Sequence, residues 1–223
     1  WEMWCGPTEM VPYNNELYVP RGRPGWLSFR PYSGGEMTGW GTHGFDQIQC
    51  ALGLDQTGPT DILVDGPALH LRRYSSPETA DRGTKICAQP RLSYRYANGL
   101  TVRLDTASRG GGIFFGEKGK MEISRGRLAS NPSELAKELL DKHPRQNQNH
   151  VGNWLDCCIS GERPIADVEI GHRSASVCHL LNIGRLLGRN LKWDPDSEKF
   201  IGDDEANGLL TRAVRKGYEW PEV

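Results

Sequence analysis

Hydrophobic positions recur at two spacings along this chain, and the change from one to the other divides it. Between Gly44 and about Leu52, the residues Phe45, Ile48 and Leu52 fall at i, i+3 and i+7, one face of a helix, and Gly53 stands where a C-terminal cap belongs. Ile62–Val64 and Leu69–Tyr74 are short candidate strands. Around Asn98-Gly99 the period becomes two. Leu92, Tyr94 and Tyr96 alternate before the turn and Leu100, Val102 and Leu104 after it, which predicts a hairpin closed by a two-residue type I′ turn. Ile113–Phe115 and Met121–Ile123, with Gly116 and Gly119 between them, predict a second hairpin. Helical spacing then returns. Asn131-Pro132 predicts a cap and a first-turn proline ahead of a helix over Glu134–Lys142. Val151, Trp154, Leu155, Cys158 and Ile159 form a second stripe, and Val177, Leu180, Leu181, Gly184 and Leu187 a third, closed by Gly188. Acids at Asp203, Asp204 and Glu205 suit the positive end of a last short helix.

Strands run together and helices run together, the order of an α+β fold: a large, mostly antiparallel open β-sheet with helices packed on one face. Read as one domain over 1–223, the chain has an irregular arm (1–33), a glycine–tryptophan–histidine loop and helix (34–55), a sheet (60–128) and a mainly helical remainder (131–223). Ser93 and Arg95 alternate with the apolar residues of their strand, so the second sheet face is mixed in character. A homo-oligomer formed through that open face would cover it.

With 27 Lys and Arg against 28 Asp and Glu, the net charge is −1. The densest basic groups, Arg21–Arg23 and Arg72–Arg73, are too short for a binding stripe. Composition therefore argues against nucleic acid and anionic membrane surfaces as partners. No run approaches the ~20 apolar residues of a membrane-spanning helix. None of the six cysteines has C-x-x-C spacing, so a reduced interior is expected. The chain opens on Trp1-Glu2-Met3-Trp4 with neither an initiator Met nor a signal peptide, as an excised piece of a longer protein would.

The candidate chemistry gathers around Gly39-Trp40-Gly41-Thr42-His43-Gly44, which matches G-x-G-x-x-G letter for letter. A dinucleotide site needs that loop to follow a buried apolar strand, and Ser33–Thr38 is no such strand. No cofactor-binding residues are assigned here. A substrate loop fits better. His43 and Thr42 stand at the mouth of a helix, whose positive end favours the neutral imidazole, a proton acceptor of the kind that oxidation of a hydroxyl requires. The plainer role of His43 is a cap or an internal hydrogen bond. Trp40 is the aromatic residue best placed for a pocket. Glu36 and Asp46 flank the loop and, with Arg30 and His172, complete the substrate-binding candidates. No H-x-x-x-H or H-x-H spacing exists among His43, His70, His172 and His179, so no metal ligands are assigned. A metal-dependent hydrolase or isomerase using His43, Asp46 and Glu36 is kept only as a third alternative.

Two long segments resemble a known family. Ser33-Gly34-Gly35-Glu36-Met37-Thr38-Gly39-Trp40-Gly41-Thr42-His43-Gly44-Phe45-Asp46, closing with Ala51-Leu52-Gly53-Leu54-Asp55, is the first. Trp154-Leu155-Asp156-Cys157 followed by Arg163-Pro164-Ile165-Ala166-Asp167-Val168-Glu169-Ile170-Gly171-His172-Arg173-Ser174-Ala175 is the second. Both are similar to the C-terminal domain of the glucose–fructose oxidoreductase/inositol dehydrogenase/rhizopine catabolism (Gfo/Idh/MocA) family, of the bacterial, planctomycete-like type. The resemblance implies a dihydrodipicolinate-reductase-like C-terminal domain whose N-terminal Rossmann domain, the missing partner here, carries NAD or NADP. No cofactor is then expected on this chain alone. It also implies hydride transfer at a CH–OH carbon of a sugar, cyclitol or related polyol, with redox-assisted glycoside cleavage as a variant. Of the family's Asp-x-x-x-His pair, His43 matches as the catalytic residue and Gly39 stands in place of the acid. A non-catalytic carbohydrate-binding or assembly module is the alternative which that missing acid motivates. The expected compartment is the cytoplasm, or the periplasm where a twin-arginine signal precedes Trp1.

Overall fold

The computed structural model describes residues 1–19, 25–70, 91–104, 111–124, 126–142 and 149–219. The chain divides into two compact units: Trp1–Gly41 with Pro59–Leu104 and Val177–Val223, and Thr42–Gly58 with Asp105–Ser176.

The first unit is built on a five-stranded sheet in the order β3-β2-β1-β7-β8, from β1 (Asp61–Asp65), β2 (Arg91–Arg95), β3 (Thr101–Arg103), β7 (Leu191–Asp194) and β8 (Lys199–Phe200). Every pairing in it is antiparallel. Ile62 stands opposite both Tyr94 and Leu191, and Tyr94 opposite Val102. Ile62, Leu92 and Tyr94 are buried, as the period-two pattern predicts for one face. The C-terminal half of α7 (Val168–Leu187) lies on that face, with Val177, Leu180, Leu181 and Ile183 all buried. Its approach is close because Gly184 has no side chain: a β-carbon there would stand 2.8 Å from Ile62 Cγ2 and 3.2 Å from Val64 Cγ2. On the opposite face Lys192 pairs with Asp61, and the ammonium holds that carboxyl below its ordinary range.

An aromatic arm completes this unit. It carries α1 (Glu2–Cys5), α2 (Asn15–Tyr18) and a 3-10 turn over Trp26–Ser28. Leu17 and Phe29 are fully buried, with Trp1, Trp4, Val11, Trp26 and Tyr32 packed against them. Trp1 stacks on Trp4 at 4.4 Å and donates its indole N–H to the Val11 carbonyl. Arg215 fastens the C-terminal segment to the arm, pairing with Glu2 and donating to the Gly6 carbonyl.

The second unit holds the antiparallel sheet β4-β5-β6, from β4 (Gly112–Gly116), β5 (Gly119–Ser124) and β6 (Arg127–Asn131). With it come most of α4 (Gly41–Leu52), α5 (Glu134–Lys142), α6 (His150–Ser160) and the N-terminal part of α7. Ile48 of α4 rests over Gly112, where a β-carbon would come within 2.7 Å of it. Helix boundaries follow the caps: Asn149 accepts the Gly152 N–H at the start of α6, and Gly161 closes it with φ 76°. Gly53 (φ 65°) and Gly188 (φ 64°) close α4 and α7 as their sequence positions predict.

Several expectations are corrected. Residues 36–44 are not a loop. α3 (Glu36–Gly39) leads through Trp40 into α4, and Gly39, Gly41 and Gly44 all keep negative φ. The buried side chains of Met37 and Phe45 hold the segment helical although it is rich in glycine. The Asn98-Gly99 hairpin does not close on a two-residue I′ turn. Tyr96 exchanges bonds with Gly99 and Leu100 around a three-residue loop, and only Gly99 has positive φ (85°), the geometry of a bulge glycine. Asn131 ends β6, paired with Lys120, rather than capping α5; the Ser130 hydroxyl accepts the Ala136 N–H instead. The segment 131–223 is less helical than expected, because β7 and β8 extend the first sheet. The α6 stripe is not core: Val151, Trp154, Leu155 and Ile159 are all exposed. Leu69 and His70 form no strand, and residues 71–74 of that expectation lie outside the described residues, as does Cys87. The other five cysteines are free thiols, with Cys5 and Cys178 buried.

Candidate functional site

The second unit carries Thr42, His43, Asp46 and His172. Thr42 and His43 are the second and third residues of α4, so both sit in its first turn. His43 is exposed and Thr42 half-buried. The His43 carbonyl accepts from the Gln47 side chain at 2.8 Å, an exposed bond along the helix.

One turn further on, a polar cluster reaches across to α7. Ser174 donates its hydroxyl to Asp46 Oδ1 at 2.8 Å and accepts from Gln49 Nε2 at 3.1 Å. Gln49 is fully buried and Ser174 almost so, and a buried polar group stays only where such bonds are made. Asp46 therefore acts first as a strut that orients α4 on α7. The sequence signal for this cluster is a glutamine, Gln49, on the apolar face that Phe45, Ile48 and Leu52 define, and neither Gln49 nor Ser174 is among the substrate-binding candidates. His172 is exposed and lies two positions before Ser174, so it projects from nearly the opposite side of α7. The structure thus joins Asp46 to α7 but does not bring His172 to it.

The first unit carries Arg30, Glu36 and Trp40. Arg30 lies in a tight turn in which the Phe29 carbonyl accepts from the Tyr32 and Ser33 N–H groups at 3.1 Å each. Glu36 opens α3 and is half-buried. Trp40, between the two short helical segments, leaves 49% of its surface to solvent while Trp1, Trp4 and Trp26 pack into the arm.

Among the described residues no group of three or more His, Cys, Asp or Glu is placed to hold a metal ion. Nor do Gly39, Gly41 and Gly44 fit a dinucleotide: they are helical, and no strand leads into them. A shallow cleft of about 280 Å³ in the second unit is lined by His150, Val151, Asn153, Trp154, Pro164 and Ala166, and takes in none of the predicted site residues. No helix of the described residues is long and apolar enough to cross a membrane.

No curated protein matches the chain. Residues 1–220 match the oxidoreductase family's C-terminal alpha/beta domain. That match spans both units, the five-stranded sheet and the glycine–tryptophan–histidine segment alike, and the chain accordingly belongs to the C-terminal domains of the Gfo/Idh/MocA oxidoreductase family.

Proposed function

We propose that this domain is the substrate-side and oligomer-forming part of an NAD(P)-dependent oxidoreductase that acts on a CH–OH group of a sugar, cyclitol or related polyol. The observation that carries the reading is family membership over residues 1–220 together with an exposed His43 in the first turn of α4. The cofactor would be held by another domain of the full protein, where it would supply the hydride acceptor.

The residues of this chain have narrower tasks in that scheme. His43 would accept the hydroxyl proton at an imidazole nitrogen as the carbon is oxidised, which demands an exposed, uncharged ring within hydrogen-bond reach of substrate. Thr42 would offer a hydroxyl beside it. In the first unit, Trp40 has an indole of the kind that stacks on sugar rings and Glu36 a carboxylate that accepts from hydroxyls. The Ser174–Asp46–Gln49 cluster supports the reading indirectly, since it fixes the helix on which His43 stands.

Steady-state kinetics of the full gene product on a panel of sugars and polyols with NAD and NADP test this directly. His43→Ala should lower kcat about 10²–10⁴-fold with a small change in KM. Full activity in that variant would remove His43 from the mechanism.

A second reading, a non-catalytic carbohydrate-binding or assembly module, draws on Gly39, which stands where the family has its acid. Saturable binding of a sugar by a full gene product inactive with either nucleotide would favour it.

A further inference from the structure

Positive charge in the first unit is distributed unevenly. Arg189 is held by Asp203 and Glu205, Lys192 by Asp61 and Arg215 by Glu2. Arg30 and Arg212 have no acid among the described residues. They are nevertheless neighbours: the Arg212 guanidinium approaches the Pro31 carbonyl at 3.5 Å, beside Arg30 in the turn that the Phe29 carbonyl closes. At that distance the carbonyl is a weak partner, well short of what a guanidinium needs. Arg30 is half-buried on the turn. Arg212 keeps much of its side chain in solvent, yet its head group is partly desolvated, and desolvation followed by the Arg30 charge lowers its pKa. Desolvation also lowers that of Arg30.

Helix α7 brings a third and a fourth group to the same segment. Asn182 donates its amide to the Gly34 carbonyl at 2.8 Å, which ties this face of the helix to Gly34. The other end of that amide, Oδ1, is buried with no hydrogen-bond partner. One turn earlier His179 keeps a solvent-facing edge, but desolvation and then the Arg212 charge hold its imidazole below the ordinary value. Two guanidiniums without a counter-ion among the described residues and an amide oxygen without a donor are together what a ligand with an oxyanion and a neighbouring hydroxyl would satisfy.

We propose that Arg30 and Arg212, with Asn182 and His179 of α7, form a binding site for the oxyanion group, carboxylate or phosphate, of a small polyhydroxylated ligand. Two arginines that share no acid among the described residues can each give a forked pair of N–H donors to such a group. Asn182 Oδ1 would accept from a hydroxyl beside it. The site belongs wholly to the first unit and does not depend on hydride chemistry.

Isothermal titration of the full chain, at constant ionic strength, reads this out with glucuronate, glucose 6-phosphate, inorganic phosphate and neutral glucose as probes. Saturable binding of glucuronate alone assigns a carboxylate, and of glucose 6-phosphate alone a phosphate. Binding of both, with inorganic phosphate, assigns a bare oxyanion cradle. In each case Arg212→Gln and Arg30→Gln should weaken binding about tenfold or more, and Arg189→Gln, outside the cluster, should not. Arg212 is exposed, so its variant tests the site even where Arg30→Gln disturbs the turn. Absence of saturable anion binding up to about 10 mM, or unchanged affinity in Arg212→Gln, overturns the proposal. Oxidation of neutral polyols without anion binding would defeat this site and spare the dehydrogenase reading; anion binding in a protein without dehydrogenase activity would do the reverse.

Discussion

At Gly184 the backbone of α7 comes so near β1 that a side chain has nowhere to go. Ile62 is fully buried, and the atom in the way is its branch methyl, which cannot swing aside as the end of a long chain could. Gly184→Val should therefore lower unfolding free energy by about 1–3 kcal/mol in denaturant titration, although glycine is itself a poor helix former. Stability at or above that of the parent would mean that helix and strand are less closely fitted than described. This residue was legible in the sequence as one position of an apolar stripe, but its reason was not. Periodicity says which residues face the core; only the partner strand says that one of them must be small. The candidate site divides the same way. His43, Trp40 and Asp46 drew notice because of their chemical type, whereas Ser174 and Gln49 make their bonds across 125 positions or more, a pairing that no local pattern encodes.

The apolar residues of α6 and of the C-terminal half of α7 recur at the same helical spacing, yet they end in different surroundings. Leu181 of α7 is fully buried, and Ile159 of α6 is 88% exposed. Truncating the two side chains separates these situations. Leu181→Ala should cost about 2–5 kcal/mol, and Ile159→Ser no more than ~0.5 kcal/mol, by the same denaturant midpoint measurement. A large loss from Ile159→Ser would place α6 in a core. Amphipathicity reports that a helix has an apolar side, not that anything covers it, which is why the two could not be told apart from sequence. β7 and β8 were missed for a related reason. Leu191 and Trp193 alternate correctly, but the run is short and follows a long helix, so nothing local distinguishes a strand from a tail. The α3–α4 segment was misread in the other direction: its glycines argued for a loop, and buried Met37 and Phe45 outweighed them.

Considered whole, the chain has a nested order. The first unit takes its residues from the beginning, the middle and the end, whereas the second has its last residue at Ser176. β1 has one neighbour, β2, about thirty positions downstream, but its other neighbour is β7, where Asp61 stands opposite Lys192. The arm waits longer still, for Arg215 to meet Glu2 and Gly6. On a ribosome that order becomes a schedule. Chain emerges at about 5–20 residues per second, so the second unit has all its residues in hand while the first still lacks two strands and the residue that fastens its arm. The free edge of β1 would spend those seconds uncovered, which is when a chaperone or a neighbouring nascent chain has access to it. Pulse-labelled hydrogen exchange during refolding should accordingly find amides of β4, β5 and β6 protected before those pairing β1 with β7. The opposite order would mean that closure across 131 positions outruns a three-stranded meander.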